Sequence, residues 1–394
     1  MINSLNFFLI LIGLMLLVPV LVIFIQTVAA ILLKNKILLN GQRKSIAVLV
    51  PAHNEEGGIL DTLLYLKPQL EPCDRLIVIA DNCTDQTASV AQSVGVEVIE
   101  RTNPNKRGKG YALDFGLQYL LKKPPEFVIV VDADCKSSSN LLDRLAKVCS
   151  YYGRPIQALY LMHASKTSGL KLKVAAFAWI FKNKVRALGF SNLGLPCQLM
   201  GTGMAFLWND ISQANLASDE LVEDLKLGLE FSKNMLSPLF CSDVLVESYF
   251  PDNETGIKSQ RTRWEHGHLS MIVKTAPGYF IDVIKQRNFN LMFLLLDMVV
   301  PPLALLAMLI FAYLILVMGG YYFFGQLVPL LTANLILFMF LSAIFMGWIK
   351  FARHIISFIG LIYVPFYVCL KIPLYIKFLV NKQVEWVRSN RDNT

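Results

Sequence analysis

The chain is predicted to be an α/β protein, with a mostly parallel central sheet flanked by transmembrane α-helices. Three observations predict this. The β-branched run Val128-Ile129-Val130-Val131 ends in Asp132-Ala133-Asp134, and a strand apolar on both faces belongs in the middle of a parallel sheet. Similar strands alternate with helical patterns from residue 46 onwards, which is the rhythm of βαβ units. Long uncharged apolar runs lie at the N-terminus and beyond residue 290.

Composition supports the division. Of 394 residues, 55% are hydrophobic and 17% charged, too apolar for an ordinary soluble enzyme. The expected parts are an N-terminal anchor over residues 1–40, a cytoplasmic globular domain over 41–285, and membrane or interfacial helices over 286–394. The net charge of +8 gathers beside the apolar runs, which reads as membrane-surface charge and not as a nucleic-acid patch; no nucleic-acid partner is expected. Seven scattered cysteines without C-x-x-C spacing indicate neither a disulfide framework nor a zinc site, and suit a reducing cytoplasm.

Met1 to Leu33 carries no side-chain charge, and about 20 apolar residues span a bilayer. With no basic n-region and too long an apolar core for a cleaved signal, it is expected to stay as an anchor. Lys34, Lys36, Arg43 and Lys44 follow, placing that end in the cytoplasm. Next come a strand over Ile46–Val50, the polar loop Pro51-Ala52-His53-Asn54-Glu55-Glu56, and a helix over Ile59–Leu66. A strand over Arg75–Ala80 ends in Asp81 and leads to a helix over Ala88–Val94; a strand over Val96–Glu100 leads to Gly108-Lys109-Gly110 and a helix over Tyr111–Leu121. Polar loops after strand ends are what a nucleotide-binding crevice requires. Lys109 at a helix start can help cradle phosphate, although the Walker spacing is missing and a glycine turn with a solvated lysine is the alternative. Asp132 and Asp134, spaced i, i+2, can share one divalent cation; Mg²⁺ or Mn²⁺ prefers such oxygen ligands together with phosphates. The alternative is a strand-end turn.

Farther on, Leu172–Arg186 reads as a basic amphipathic helix that suits either the membrane surface or the core. A glycine-rich loop around Gly201-Thr202-Gly203 enters a strand, and Val244–Tyr249 is a further strand. Glu223 and Asp224 sit at a helix start, where carboxylates also favour the helix dipole. Gln260, Arg263 and Trp264 fall on one helix face and offer amide, guanidinium and indole groups to a sugar or pyrophosphate. A basic helix lying on lipid is the alternative.

The ordered set of the His53-Asn54-Glu55 loop, D-x-D, Glu223-Asp224 and Q-x-x-R-W, spread over about residues 45–270, resembles the family 2 glycosyltransferases, in particular the membrane-bound branch of cellulose, chitin and hyaluronan synthases. The resemblance implies a GT-A fold and an inverting transfer from a nucleotide sugar, usually UDP-linked. It implies that His53, Asn54, Glu55 and Asp81 serve the nucleotide side. Asp132 and Asp134 would then hold the diphosphate through Mg²⁺ or Mn²⁺. Asp224 is implied as general base beside Glu223, and Gln260, Arg263 and Trp264 would position acceptor and diphosphate. The implied partners are a UDP-sugar donor, a lipid-linked or growing saccharide acceptor, membrane lipids, and an oligomer or partner for any export. A processive polysaccharide synthase is the alternative within the class, and a non-catalytic nucleotide-sugar-binding scaffold is the alternative outside it. The intact carboxylates weigh against the scaffold, and a transporter would show more spans.

In the membrane half, a span beginning near Met298 leaves Asp297 at the interface; the other possibility is a functional or packing carboxylate at membrane depth. Gly319–Gly325 is expected as the outside turn, and Phe323–Trp348 as the next span, ending inside at Lys350, Arg353 and His354. Ile355–Leu370 is short and broken by Pro365. As a full span it would put Lys371, Lys377, Lys382, Arg388 and Arg391 outside, against the charge rule, so an interfacial or re-entrant segment is expected. Three spans are few for a polysaccharide channel, which favours limited transfer to a lipid-linked acceptor. A multi-pass protein of a bacterial inner membrane, its domain facing the cytoplasm, is the expected location.

Overall fold

The computed structural model describes residues 2–33, 43–165, 168–217, 220–251 and 253–380. Its strands are β1 (Ile46–Ala52), β2 (Arg75–Asp81), β3 (Glu97–Arg101), β4 (Phe127–Val130), β5 (Lys136–Ser137), β6 (Ile156–His163), β7 (Met204–Leu207) and β8 (Leu239–Tyr249). They form one eight-stranded sheet in the order β3-β2-β1-β4-β7-β6-β8-β5. The first four in that order run parallel, β7 is antiparallel to both neighbours, and β6 and β8 are parallel. The mostly parallel α/β architecture is therefore the one the sequence predicts.

The soluble helices are α2 (Ile59–Leu66), α3 (Thr87–Ser93), α4 (Lys109–Leu120), α5 (Leu141–Tyr152), α6 (Leu170–Ile180), α7 (Ala187–Asn192), α8 (Trp208–Ile211), α9 (Glu223–Lys233) and α10 (Glu254–Ser270). The central strands are apolar on both faces because helices cover both. Ile46, Val48, Phe127 and Ile129 pack with α2 and α5, while Ala47, Leu49, Val128 and Val130 pack with α4 and α9. Each fully buried aliphatic or aromatic side chain of this kind contributes about 1.5–3 kcal/mol. The sheet is thus the rigid support from whose carboxyl edge the site loops project. The strand expected over Val244–Tyr249 starts earlier, at Leu239, because a bulge opposite Ala158/Leu159 breaks its alternation.

The segment read as one amphipathic helix over Leu172–Arg186 is split. α6 gives way to a π-helical turn, Phe181–Arg186, before α7. Leu172, Val174, Phe177 and Ile180 are buried, so of the two surfaces left open it is the core that takes this face.

α1 (Ile2–Leu32), α13 (Leu303–Phe324) and α14 (Leu327–Phe351) are long and apolar enough to cross a membrane. α11 (Ala276–Gln286) and α12 (Phe289–Met298) connect them to the sheet domain. Two expectations are corrected here. The first C-terminal span begins at Leu303, not near Met298, because Pro301-Pro302 cannot supply helical N–H donors and ends α12 as a separate helix. Asp297 precedes this span and is buried within the protein, 7% exposed and bonded to Arg186 and Gln26. The turn expected over Gly319–Gly325 is only Gly325-Gln326, since α13 continues through Gly319 and Gly320, and α14 starts at Leu327. Close packing of Gly320 on Leu9, where an added Cβ would lie 3.2 Å from Leu9 Cδ1, favours the continued helix.

After Phe351, among the described residues, come only α15 (Phe358–Ile362), α16 (Val364–Cys369) and α17 (Ile372–Val380), none long enough to cross. The basic residues Lys34, Lys36, Lys382, Arg388 and Arg391 lie outside the described residues.

Candidate active site

The loop after β1 is stitched to the loop after β2. His53 Nδ1 hydrogen-bonds the Asp81 carbonyl at 2.7 Å, and the Glu55 N–H donates to Thr87 Oγ1 at 2.7 Å. Asn54 takes φ +56°, a left-handed conformation asparagine tolerates, and its side chain accepts from the Thr84 N–H at 2.7 Å. The Asp81 carboxylate is buried, accepting from Arg101 Nη1 at 2.5 Å and Asn82 Nδ2 at 3.0 Å.

Asp132 and Asp134 follow β4. The Asp132 N–H donates to Thr202 Oγ1 at 3.0 Å, and Ser248 Oγ donates to Asp134 Oδ2 at 2.9 Å, which fixes both backbone and carboxylate. Lys109 forms an ion pair with Asp132 and donates to the Gly201 carbonyl at 2.8 Å. Burial opposes its charge, but Asp132, Glu223 and Asp224 together outweigh it and the ammonium is held above its ordinary value. Ligand atoms of Asp132, Asp134 and Cys135 lie within 4.8 Å of one another. Burial pushes the Cys135 thiol well up, so it stays protonated and a poor ligand. That leaves two carboxylates, one pinned by a serine, which fit a hard Mg²⁺ or Mn²⁺ completed by phosphate and water oxygens.

Glu223 and Asp224 open α9 across the crevice. Gly201, at φ +89°, separates them from the D-x-D side: a Cβ there would lie 3.6 Å from both Asp224 Oδ2 and Lys109 Nζ. Burial, reinforced by the Asp224 charge, pushes Glu223 up to about 7. Burial also raises Asp224, against the pull of Lys182 and Lys109. Two adjacent buried carboxyls of this kind titrate as a unit. Burial lowers Arg263, and Glu223, Asp132 and Asp224 oppose that by their charge.

These groups line one cavity of about 230 Å³. Of the residues singled out in the sequence, it brings together His53, Glu55, Asp81, Lys109, Asp132, Asp134, Glu223, Asp224, Arg263 and Trp264. Asn54 and Gln260 are not among its walls: Asn54 is the staple to Thr84, and Gln260 is fully buried. Sequence reasoning missed Tyr160, Trp179, Lys182 and His268, which also line it. Trp179 and Trp264 face each other with ring centroids 4.7 Å apart, and Lys182 Nζ lies 5.8 Å from the Trp179 ring. The π-helical turn brings Lys182 to the cavity, as π-bulges often do at functional sites; the only signal in the sequence is a lysine inside an apolar segment. A second, larger cavity of about 1140 Å³ lies between α6, α10, α13, α14 and α16, and shares Trp179, Lys182, Trp264 and His268 with the first.

Residues 47–157 match the family described as Glycosyl transferase family 2. Over this stretch the chain is similar to the family 2 glycosyltransferases. The low-salt glycan biosynthesis hexosyltransferase Agl6 of Haloferax volcanii is 24% identical over 251 residues, covering 60% of this chain and 55% of that protein. The probable glycosyltransferase YdaM of Bacillus subtilis is 26% identical over 273 residues, covering 63% and 61%. The chain thus spans between 55% and 61% of the length of these curated relatives. A solved mannosyltransferase of Pyrobaculum calidifontis, in complex with GDP-Man and Mn²⁺, superposes with a TM-score of 0.58 at 14% identity, over 97% of this chain and all of that one. The likeness shows the fold: the glycosyltransferase domain is of the GT-A type.

Proposed function

We propose that this protein is an inverting, metal-dependent hexosyltransferase that moves a sugar from a nucleotide-diphosphate donor to a lipid-linked acceptor. The observation that supports this most is the wall shared by the two cavities, one carrying carboxylates and cations, the other lined by Phe311, Ile315, Phe338 and Leu341 on the long apolar helices α13 and α14. An acceptor with an apolar tail can reach a polar reaction centre without leaving the lipid phase. The motif resemblance suggests a UDP-sugar, whereas the mannosyltransferase of matching fold holds GDP-Man, so both nucleotides belong in a test.

In this reading His53, Glu55 and Asp81 take the nucleoside, and Lys109 and Arg263 face the diphosphate, where negative charge develops as it leaves. Asp132 and Asp134 would hold Mg²⁺ or Mn²⁺, which supplies Lewis-acid stabilisation of that charge when bound. Asp224, on the other side of Gly201, accepts the proton of the acceptor hydroxyl as its oxygen bonds the anomeric carbon and the bond to the diphosphate breaks. One such displacement inverts the centre, and no second nucleophilic carboxylate is required. Glu223 tunes Asp224 by charge. Trp264, tilted against Trp179, offers a platform for a sugar ring. The branch of polysaccharide synthases is not favoured, since the second cavity presents apolar walls where a saccharide channel would need polar ones. The division of the chain near residues 40 and 285, and a domain facing the cytoplasm, belong to the same reading.

The test is a panel of UDP- and GDP-hexoses offered to purified protein with native lipid extract and Mg²⁺ or Mn²⁺, following nucleotide release and label in the organic phase. Organic-phase label supports the reading; label only in high-mass, water-soluble material would replace it with a polymerising synthase.

A further inference from the structure

Four cations line the larger cavity: Lys182, Arg186, Arg261 and Lys371. Three are occupied. Arg186 pairs with Asp297, Lys371 pairs with Glu265, and Arg261 bonds the Tyr367 hydroxyl and lies 6.0 Å from its ring. Lys182 differs. Among the described residues no carboxylate lies within ion-pair reach of its ammonium, which rests only against the face of Trp179. It also lies on the walls of both cavities. Burial pulls its proton affinity down, and Asp224 is the first of the charges that restore it. A half-buried ammonium without a counter-ion is costly, so this position favours an anion arriving from outside the protein. The larger cavity presents mainly apolar walls from α13 and α14, and the smaller one carries Asp224. An anion bound here is thus flanked by an apolar chain on one side and a nucleophile on the other.

We propose that Lys182 is the phosphate subsite of an amphiphilic acceptor, its apolar chain in the cavity between α6, α13, α14 and α16 and its nucleophilic hydroxyl reaching Asp224. This rests on the lipid-acceptor reading above and adds to it the acceptor's charge. A neutral glycolipid would leave Lys182 unpaired, whereas a phosphate-linked lipid satisfies it with charge-assisted hydrogen bonds.

The experiment uses the full chain in neutral alkyl-maltoside micelles, without donor or metal. Radiolabelled farnesyl phosphate is the probe, with farnesol and inorganic phosphate as competitors. Lys182→Met is expected to weaken binding about ten- to a hundredfold, the range of a lost charged hydrogen bond, while Lys182→Arg stays close to wild type. Farnesol should compete at least about tenfold more weakly than farnesyl phosphate. Ala304→Trp, which fills the apolar wall, should weaken both farnesyl compounds.

Unchanged binding in Lys182→Met overturns the proposal, and so does equal loss in Lys182→Arg and Lys182→Met, which would make the position structural. Competition by inorganic phosphate as strong as by farnesyl phosphate would mean a free-anion site, and equal competition by farnesol an apolar chamber only; either overturns it too. Sugar transfer to lipid with Lys182-independent binding would sink the subsite and leave the function standing. Lys182-dependent binding with no transfer from any donor would do the reverse.

Discussion

At the residue scale, Asp224 is where turnover should hinge. Asp224→Asn keeps size and hydrogen bonding but cannot take a proton, so transfer should fall about 10²- to 10⁴-fold while nucleotide binding, read by calorimetry, changes little. Full activity in this variant would remove the base assignment. Its neighbour sets the pH dependence. Glu223 sits at about 7 in place of its ordinary 4.5, so the pair becomes fully ionised only as pH rises through 7. The limb of kcat/KM should therefore climb between about pH 6 and 8, and Glu223→Gln should move it to lower pH by removing the negative neighbour. The stability sign is the opposite. A carboxyl raised in the folded state binds its proton more tightly there than in the unfolded chain. Stability is thus unpenalised below about 4.5 and falls as pH rises towards 7, which thermal unfolding in detergent can follow. The two acidic motifs were legible because carboxylates at a strand end and a helix start are local patterns. Tyr160, Trp179, Lys182 and His268 were not, because they reach the cavity through tertiary packing and a π-helical turn.

At the element scale, α1 is tied to the sheet domain by a close crossing and a buried polar cluster. Gly189 of α7 lies so near α1 that an added Cβ would stand 1.9 Å from the Gln26 carbonyl oxygen, a backbone atom that cannot swing aside. Gly189→Ala should therefore separate α1 from α7, seen as lower thermal stability and loss of the protein's monodisperse peak in detergent. Three elements meet beside this crossing. Asp297 Oδ1 of α12 accepts from Arg186 Nη2 at 2.7 Å and from Gln26 Nε2 of α1 at 2.6 Å. Removing only the carboxylate, in Asp297→Ala, leaves a buried guanidinium uncompensated and should cost about 3–5 kcal/mol. Asp297→Leu combined with Arg186→Met should recover most of that loss; a double variant as unstable as Asp297→Ala would mean that the hydrogen bonds to Gln26, and not the charge balance, hold the elements together. Composition marked Asp297 as unusual but not as paired, since its partners are 111 and 271 positions away. The helix ends were misread for a related reason: Gly319 and Gly320 look like a turn locally, yet both lie inside α13, where Gly320 packs against Leu9 of α1.

At the scale of the whole molecule, the alternation of strands and helices and the segregation of apolar runs made the architecture legible, while the shared wall between the two cavities was not, because it is built from distant elements. The same architecture fixes a sidedness. The end of α1 lies on the sheet domain, where Asn192 Nδ2 donates to the Leu33 carbonyl at 2.8 Å. Its other end lies beside α13, where the Tyr313 hydroxyl donates to the Leu9 carbonyl at 2.9 Å. The start of α1 and the Gly325-Gln326 turn therefore share one side of the helical layer, and the domain holds the other. Arg43, Lys44, Lys350 and Arg353 all stand on the domain side, so the positive-inside rule predicts that this side faces the cytoplasm. A membrane-impermeant maleimide distinguishes the two sides. Tyr322, 82% exposed one turn before the tip, becomes a reporter as Tyr322→Cys, and the native exposed Cys73 reports on the domain. Intact cells should label the first and spare the second until the membrane is permeabilised. The reverse pattern would put the glycosyltransferase domain outside, away from cytoplasmic nucleotide sugars, and the proposed reaction would then lack its donor.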